Sequence, residues 1–107
     1  MWMPVLALVI GLVIGLQFSF TVPQEYARYT AVGILAALDA VLGAVRAELG
    51  QAYANKVFIS GLLSNVVLAV ALTFLGDRLG VDLSLAAVVA FGVRMFNNVA
   101  GIRRHFL

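Results

Sequence analysis

At 107 residues, the chain is 64% hydrophobic and 11% charged, with a mean hydropathy of +1.07. Soluble domains carry about 45–50% apolar and about 25% charged residues, and a chain this short has too little interior to hide the excess. Lipid is therefore the natural solvent for its outer faces, and a single transmembrane domain over 1–107 is all the length allows. The absence of Cys excludes disulfides and thiolate metal sites, and a lone histidine, His105, excludes a multi-His metal site within one chain. No metal or other cofactor is expected. The net charge of +2 and the pI near 9.5 come from Arg and Lys at the ends of apolar runs. They form no soluble basic face, so nucleic acid is not an expected partner.

The first apolar run, 1–20, is broken only by Pro4, Gln17 and Ser19. A membrane-crossing helix needs about 20 residues, and proline is tolerated in a first turn. No basic stretch precedes the run, as one would in a secretory signal, so a helix is predicted over about 2–20. A short turn follows at 21–24. The second run, 25–49, opens with Tyr26, Arg28 and Tyr29, side chains suited to the membrane interface. It carries Asp39 in its interior and closes with Arg46 and Glu48. A polar connector, 50–56, leads to a third run over 57–75, interrupted by Ser60, Ser64 and Asn65. Residues 76–82 read as a tight turn, with Asp82 or Ser84 able to cap the next helix. The fourth helix, predicted over 83–104, contains Arg94, Asn97 and Asn98. No run shows the alternation of a barrel strand, and each is far longer than about 10 residues. The expected fold class is all-α, a polytopic integral membrane protein of four transmembrane helices with short connectors.

Four crossings put both termini and the connector at Gln51 on one side, with Arg46, Lys56, Arg103 and Arg104. The other side holds Arg28 and Arg78, diluted by Glu25, Asp77 and Asp82. The excess of Arg and Lys places both termini in the cytoplasm, on a multi-pass protein of the cell membrane. The basic edge is an anchor for anionic lipid, or else a docking point for a cytoplasmic partner.

The informative residues are polar groups inside the apolar runs. Asp39 lies nine positions before Glu48, Asn65 nine after Lys56, and Arg94 nine before Arg103. Nine residues of helix rise about 13–14 Å, so the three share a depth near the middle or inner half of the bilayer. A bare charge there costs about 2.5–3.5 kcal/mol on insertion scales. Pairing Asp39 with Arg94 offsets that cost, and arginine can hold a carboxylate through two parallel N–H bonds. Asn65 can donate to Asp39 or accept from Arg94, and Asn97 lies one turn from Arg94. The prediction is an inward-facing Asp39–Arg94 pair with Asn65 and Asn97 around it. Such a cluster either locks helix register or lines a site for an ion, a lipid head group or a partner helix.

Gly11 and Gly15 form a GxxxG spacing, and Gly33, Ala36, Ala37 and Ala40 pave part of the second helix. These surfaces allow close helix approach, within the chain or between copies. Thr30, Ser60, Ser64, Thr73 and Ser84 can bond back to carbonyls of their own helices. There is no nucleophile with a base beside it, no phosphate loop and no pair of carboxylates on one helix. Asp39 is the only acid deep in a run, and a neighbouring arginine opposes a proton-carrying role. Enzyme activity is not expected.

Four segments resemble the bacterial small basic protein family. They are the opening Met-Trp-Met-Pro-Val-Leu-Ala-Leu-Val-Ile-Gly, Val22-Pro-Gln-Glu-Tyr-Ala-Arg-Tyr-Thr-Ala-Val-Gly-Ile-Leu-Ala-Ala-Leu-Asp, Gly76-Asp-Arg-Leu-Gly-Val-Asp-Leu and Phe91-Gly-Val-Arg-Met-Phe-Asn-Asn. The resemblance covers essentially the whole chain. It implies an uncharacterised bacterial membrane family often encoded beside cell-division genes, and it brings no catalytic or ligand residues. The expected function is a non-enzymatic membrane scaffold or adaptor, oligomeric, associated with cell division or envelope assembly. Its expected partners are membrane lipid, further copies of itself and another membrane protein. The alternative is a small transporter or channel component, with Asp39, Asn65 and Arg94 facing a pathway built from several copies.

Overall fold

In a long apolar run, the backbone has only itself to satisfy its N–H and C=O groups, and helix is the local solution. The computed structural model describes residues 2–17 and 23–107, and the regular elements among them are four helices. They are α1 (Trp2–Gln17), α2 (Gln24–Leu49), α3 (Asn55–Leu79) and α4 (Ser84–Phe106). With 26, 25 and 23 residues, α2, α3 and α4 are long and apolar enough to cross a membrane. The described part of α1 has 16 residues and rises about 24 Å, short of a hydrocarbon core of about 30 Å. The predicted continuation over 18–20, and the turn residues 21–22, lie outside the described residues.

The helix ends differ from the sequence expectation in an informative way. Composition places Gly76, Asp77, Arg78 and Leu79 in a turn, but α3 runs through all four, and the turn narrows to 80–83. Gly80 takes a left-handed φ of 72°, and its N–H and that of Val81 both reach back to the Gly76 carbonyl, which satisfies the exposed helix end. Gly76 is required because the returning chain crosses it. A Cβ there would meet the Val81 carbonyl oxygen and lie 2.9 Å from the Leu83 nitrogen. Arg78, at the helix C-terminus where a cation is favoured, lies 5.1 Å over the Phe74 ring. Asp82 is the capping side chain of α4. Its Oδ1 accepts the Leu85 N–H at 3.3 Å and the Ser84 hydroxyl.

Helix α2 is central and packs against both α3 and α4, while α3 and α4 touch each other far less. The core is built from Val32 and Ala36 of α2, Ala69 of α3, and Ala87 and Phe91 of α4, backed by Leu35, Val66 and Leu72. Ala36 and Ala69 are fully covered. Such small side chains bring helix backbones close enough to pack by dispersion where no hydrophobic force acts between helices. The hydroxyls of Thr30, Ser60 and Thr73 bond to carbonyls of their own helices at 2.8–3.2 Å. Outside the core, large apolar side chains such as Leu63, Val67 and Phe96 face outward. Helix α1 stands apart, and among its described residues only Pro4 is buried.

Candidate functional site

Three helices meet at one carboxylate oxygen. Asp39, in the interior of α2, is 1% exposed. Its Oδ2 accepts a hydrogen bond from Asn65 Nδ2 at 3.0 Å and faces Arg94 Nη2 at 3.2 Å. The sequence prediction of a shared depth thus brings Asp39, Asn65 and Arg94 together. The arginine does not take the carboxylate with two parallel bonds. Asp39 Oδ1 is buried with no hydrogen-bond partner among the described residues, and the Arg94 side chain is 59% exposed.

A cavity of about 220 Å³ extends from this cluster. It follows Gly43, Ala44 and Ala47 along α2 and Gly61 and Val57 along α3, and ends at Tyr53 in the connector between them. Eight residues separate Asp39 from Ala47, and eight separate Asn65 from Val57, so the slot is about 12 Å long. Small side chains on the facing helices open it. The Tyr53 hydroxyl, at the far end, is also buried without a partner among the described residues. Burial pushes this phenol above its ordinary pKa, and Glu48 adds to the shift. A second crevice, about 310 Å³, lies where α3 and α4 part, between Leu68, Leu72, Ala86 and Ala90. Asn65 and Arg94 border both spaces.

Asn97 is not in the cluster. Its side chain is exposed, and only its backbone carbonyl is engaged, by Arg46 Nη1 at 3.4 Å. The next residue, Asn98, faces α2. Its Oδ1 also lies 3.4 Å from Arg46 Nη1, and its amide sits beside Gly43. At about 100° per residue, Asn97 is turned roughly 60° from Arg94 away from the core, whereas Asn98 is turned roughly 40° towards it. Spacing alone does not reveal in which direction the core lies.

Of the expected basic edge, Lys56, Arg103 and Arg104 are exposed, and Arg104 Nε bonds back to the Ala100 carbonyl at 3.3 Å. Arg46 instead lies across α4, where a Cβ on Gly101 would stand 2.5 Å from its Nε. Gly11 and Gly15 have open space around them.

The opposite end of the bundle carries a second polar knot that sequence reasoning missed. Arg28 Nη2 lies 2.5 Å from Asp77 Oδ1, and the Tyr29 hydroxyl donates to Asp77 Oδ2 at 2.7 Å. Arg28 Nη1 is 4.0 Å from Asp82 Oδ1. One arginine of α2 therefore clamps the end of α3 and the turn into α4. Opposite charges at facing ends of antiparallel runs were the available signal. The two sequence segments involved are also two of those that carry the family resemblance.

Comparisons with known proteins agree with that resemblance. Residues 22–107, which include α2, α3 and α4, match the model of a family described as a protein of unknown function, DUF1290. The chain is 52% identical over 107 residues to the small basic protein of Bacillus subtilis (strain 168), covering 100% of this chain and 88% of that protein. It is 42% identical over 100 residues to uncharacterised proteins of Mycobacterium bovis and Mycobacterium tuberculosis, covering 92% of this chain and 83% of theirs. No solved structure matches it. With the Bacillus protein aligned along the full length of this chain and the family model along α2 to α4, the chain belongs to the small basic protein family, DUF1290.

Proposed function

We propose that the chain is a non-enzymatic integral membrane scaffold or adaptor that works as an oligomer. In this reading α1 makes the fourth crossing of the cell membrane. Both ends then lie in the cytoplasm beside Lys56, Arg103 and Arg104, where the excess of positive charge favours that orientation. The observation that carries the reading is α1 itself, an apolar helix with every described side chain but Pro4 uncovered. A helix so little covered by its own chain offers a whole face to other helices, and Gly11 and Gly15 on it present no side chain to obstruct contact. The connectors at 50–54 and 80–83 are too short to hold catalytic machinery in water. Cell division or envelope assembly is the process that the family resemblance favours. Light scattering of the protein in mild detergents tests the proposal, with a mass of at least twice 11.4 kDa expected. The single-chain mass in every detergent would contradict it.

A transport component is the second reading, favoured by the slot that reaches Asp39 and by the free Oδ1 at its inner end. Ion or proton flux in reconstituted vesicles that Asp39→Asn abolishes would put transport in first place. Vesicles that hold their gradients with the protein present would leave the scaffold.

A further inference from the structure

Arg94 stands ten residues from Ser84 and twelve from Phe106, at the two ends of α4. That is about 15 and 18 Å of helix, beyond the reach of an arginine side chain to either interface. One of its N–H groups is spent on Asp39, and the side chain remains more than half exposed. One turn further on, Asn97 is exposed with no side-chain hydrogen bond among the described residues. In hydrocarbon, such groups need partners that the described residues of this chain do not supply.

The surroundings of Asn97 say what kind of partner fits. At about 100° per residue, Ala86, Ala90 and Asn97 fall within about 40° of one line along α4. Both alanines are exposed, on the α4 wall of the crevice between α3 and α4. The core-facing Ala87, Phe91 and Asn98 lie about 60–140° away, and Arg94 sits between the two faces. The line thus has two small residues one turn apart, where another helix backbone can come close, followed by Val93 and then an amide. An amide both donates and accepts, so it is its own complement. A second copy inserted with the same orientation carries its amide at the same depth, and a twofold axis along the membrane normal brings the two into register. The charge of Arg94 is balanced by Asp39 in each copy, so the copies do not repel through this layer.

We propose that a second copy of this chain docks on the α3-side face of α4, over the mouth of the crevice that Ala86 and Ala90 line, with those alanines in close contact and Asn97 paired with Asn97 of the partner subunit. The proposal rests on the oligomeric reading above and specifies its surface. A single polar residue at a helix contact sets both register and partner, as asparagine does in coiled coils. Arg94 is covered at the edge of the same contact, which removes its exposure to lipid.

The chain contains no Cys, so single-cysteine variants report on contacts without background. Ala90→Cys, Asn97→Cys, Leu63→Cys on α3 and Leu12→Cys on α1 are each oxidised in native membranes, and the disulfide-linked dimer is read on a gel. Dimers at positions 90 and 97 and none at 63 are expected. In a separate measurement without cysteines, Asn97→Ala lowers the dimer association constant about three- to tenfold, the size of one interhelical hydrogen bond in a bilayer, and Asn97→Gln restores most of it. Dimers at position 12 with none at 90 or 97 would overturn this surface while the oligomeric reading survives. No dimers at any position, with a single-chain mass in detergent, would overturn both. Cross-linking of position 97 to a different membrane protein in place of a second copy would also overturn the proposal.

Discussion

Asp39 is the residue on which the bundle turns, because its Oδ2 alone joins α2 to both α3 and α4. Asp39→Asn leaves Arg94 as an unpaired charge at mid-membrane and is expected to cost about 2–3 kcal/mol. Adding Arg94→Gln then costs little more, because the stranded charge is gone. Unfolding in mixed detergent micelles measures both, and losses that add to within about 0.5 kcal/mol would mean no coupling. At the far end, Asp82 is held below the usual carboxylate range, first by the Ser84 hydroxyl and then by the Leu85 N–H and Arg28, against an opposing effect of burial. A depressed pKa in the folded state stabilises above the ordinary carboxylate pKa, and that stability is lost as pH falls through the folded value. Ser84→Ala should therefore be less stable than the parent at neutral pH, and the two should converge in acid when the same unfolding is followed across pH. The Asp39, Asn65 and Arg94 cluster was legible in the sequence because depth can be counted from the charged helix ends. The choice between Asn97 and Asn98 was not, since it depends on which side of α4 the core lies.

At the scale of elements, the existence and order of the helices followed from apolar runs, but their ends did not. Gly76-Asp-Arg-Leu-Gly has the composition of a turn, yet Asp77 finds Arg28 and Tyr29 only if α3 continues past it. Long-range partners thus overrode local turn chemistry. Gly76 and Gly33 make a matched test, since both lie inside helices. Gly76→Ala drives a Cβ into the backbone of the returning turn and should cost about 1–3 kcal/mol, as overpacking does. A Cβ on Gly33 would meet nothing within 4 Å, so Gly33→Ala should be neutral or stabilising by up to about 1 kcal/mol. Equal losses at the two positions, measured by the same unfolding assay, would contradict the turn geometry. The clamp of Arg28 on Asp77 went unseen in the sequence for the same reason as the helix end. Both depend on which ends of α2, α3 and α4 come to lie together.

For the whole molecule, the balance of surfaces leads to the functional reading. Helices α2, α3 and α4 form a bundle tied at mid-depth by Asp39 and at one end by Arg28, while the described part of α1 and the Ala86, Ala90 and Asn97 line of α4 are left exposed. Composition made legible the helices apolar enough to cross a membrane, but no residue pattern could show that α1 stands apart, because GxxxG serves packing within a chain and between chains equally well. The account therefore turns on copy number in the native membrane. Counting photobleaching steps of a fluorescently tagged chain at low expression measures it directly. Two or more steps in most spots are predicted, falling towards one with Asn97→Ala. One step per spot for the unaltered chain would contradict the scaffold reading.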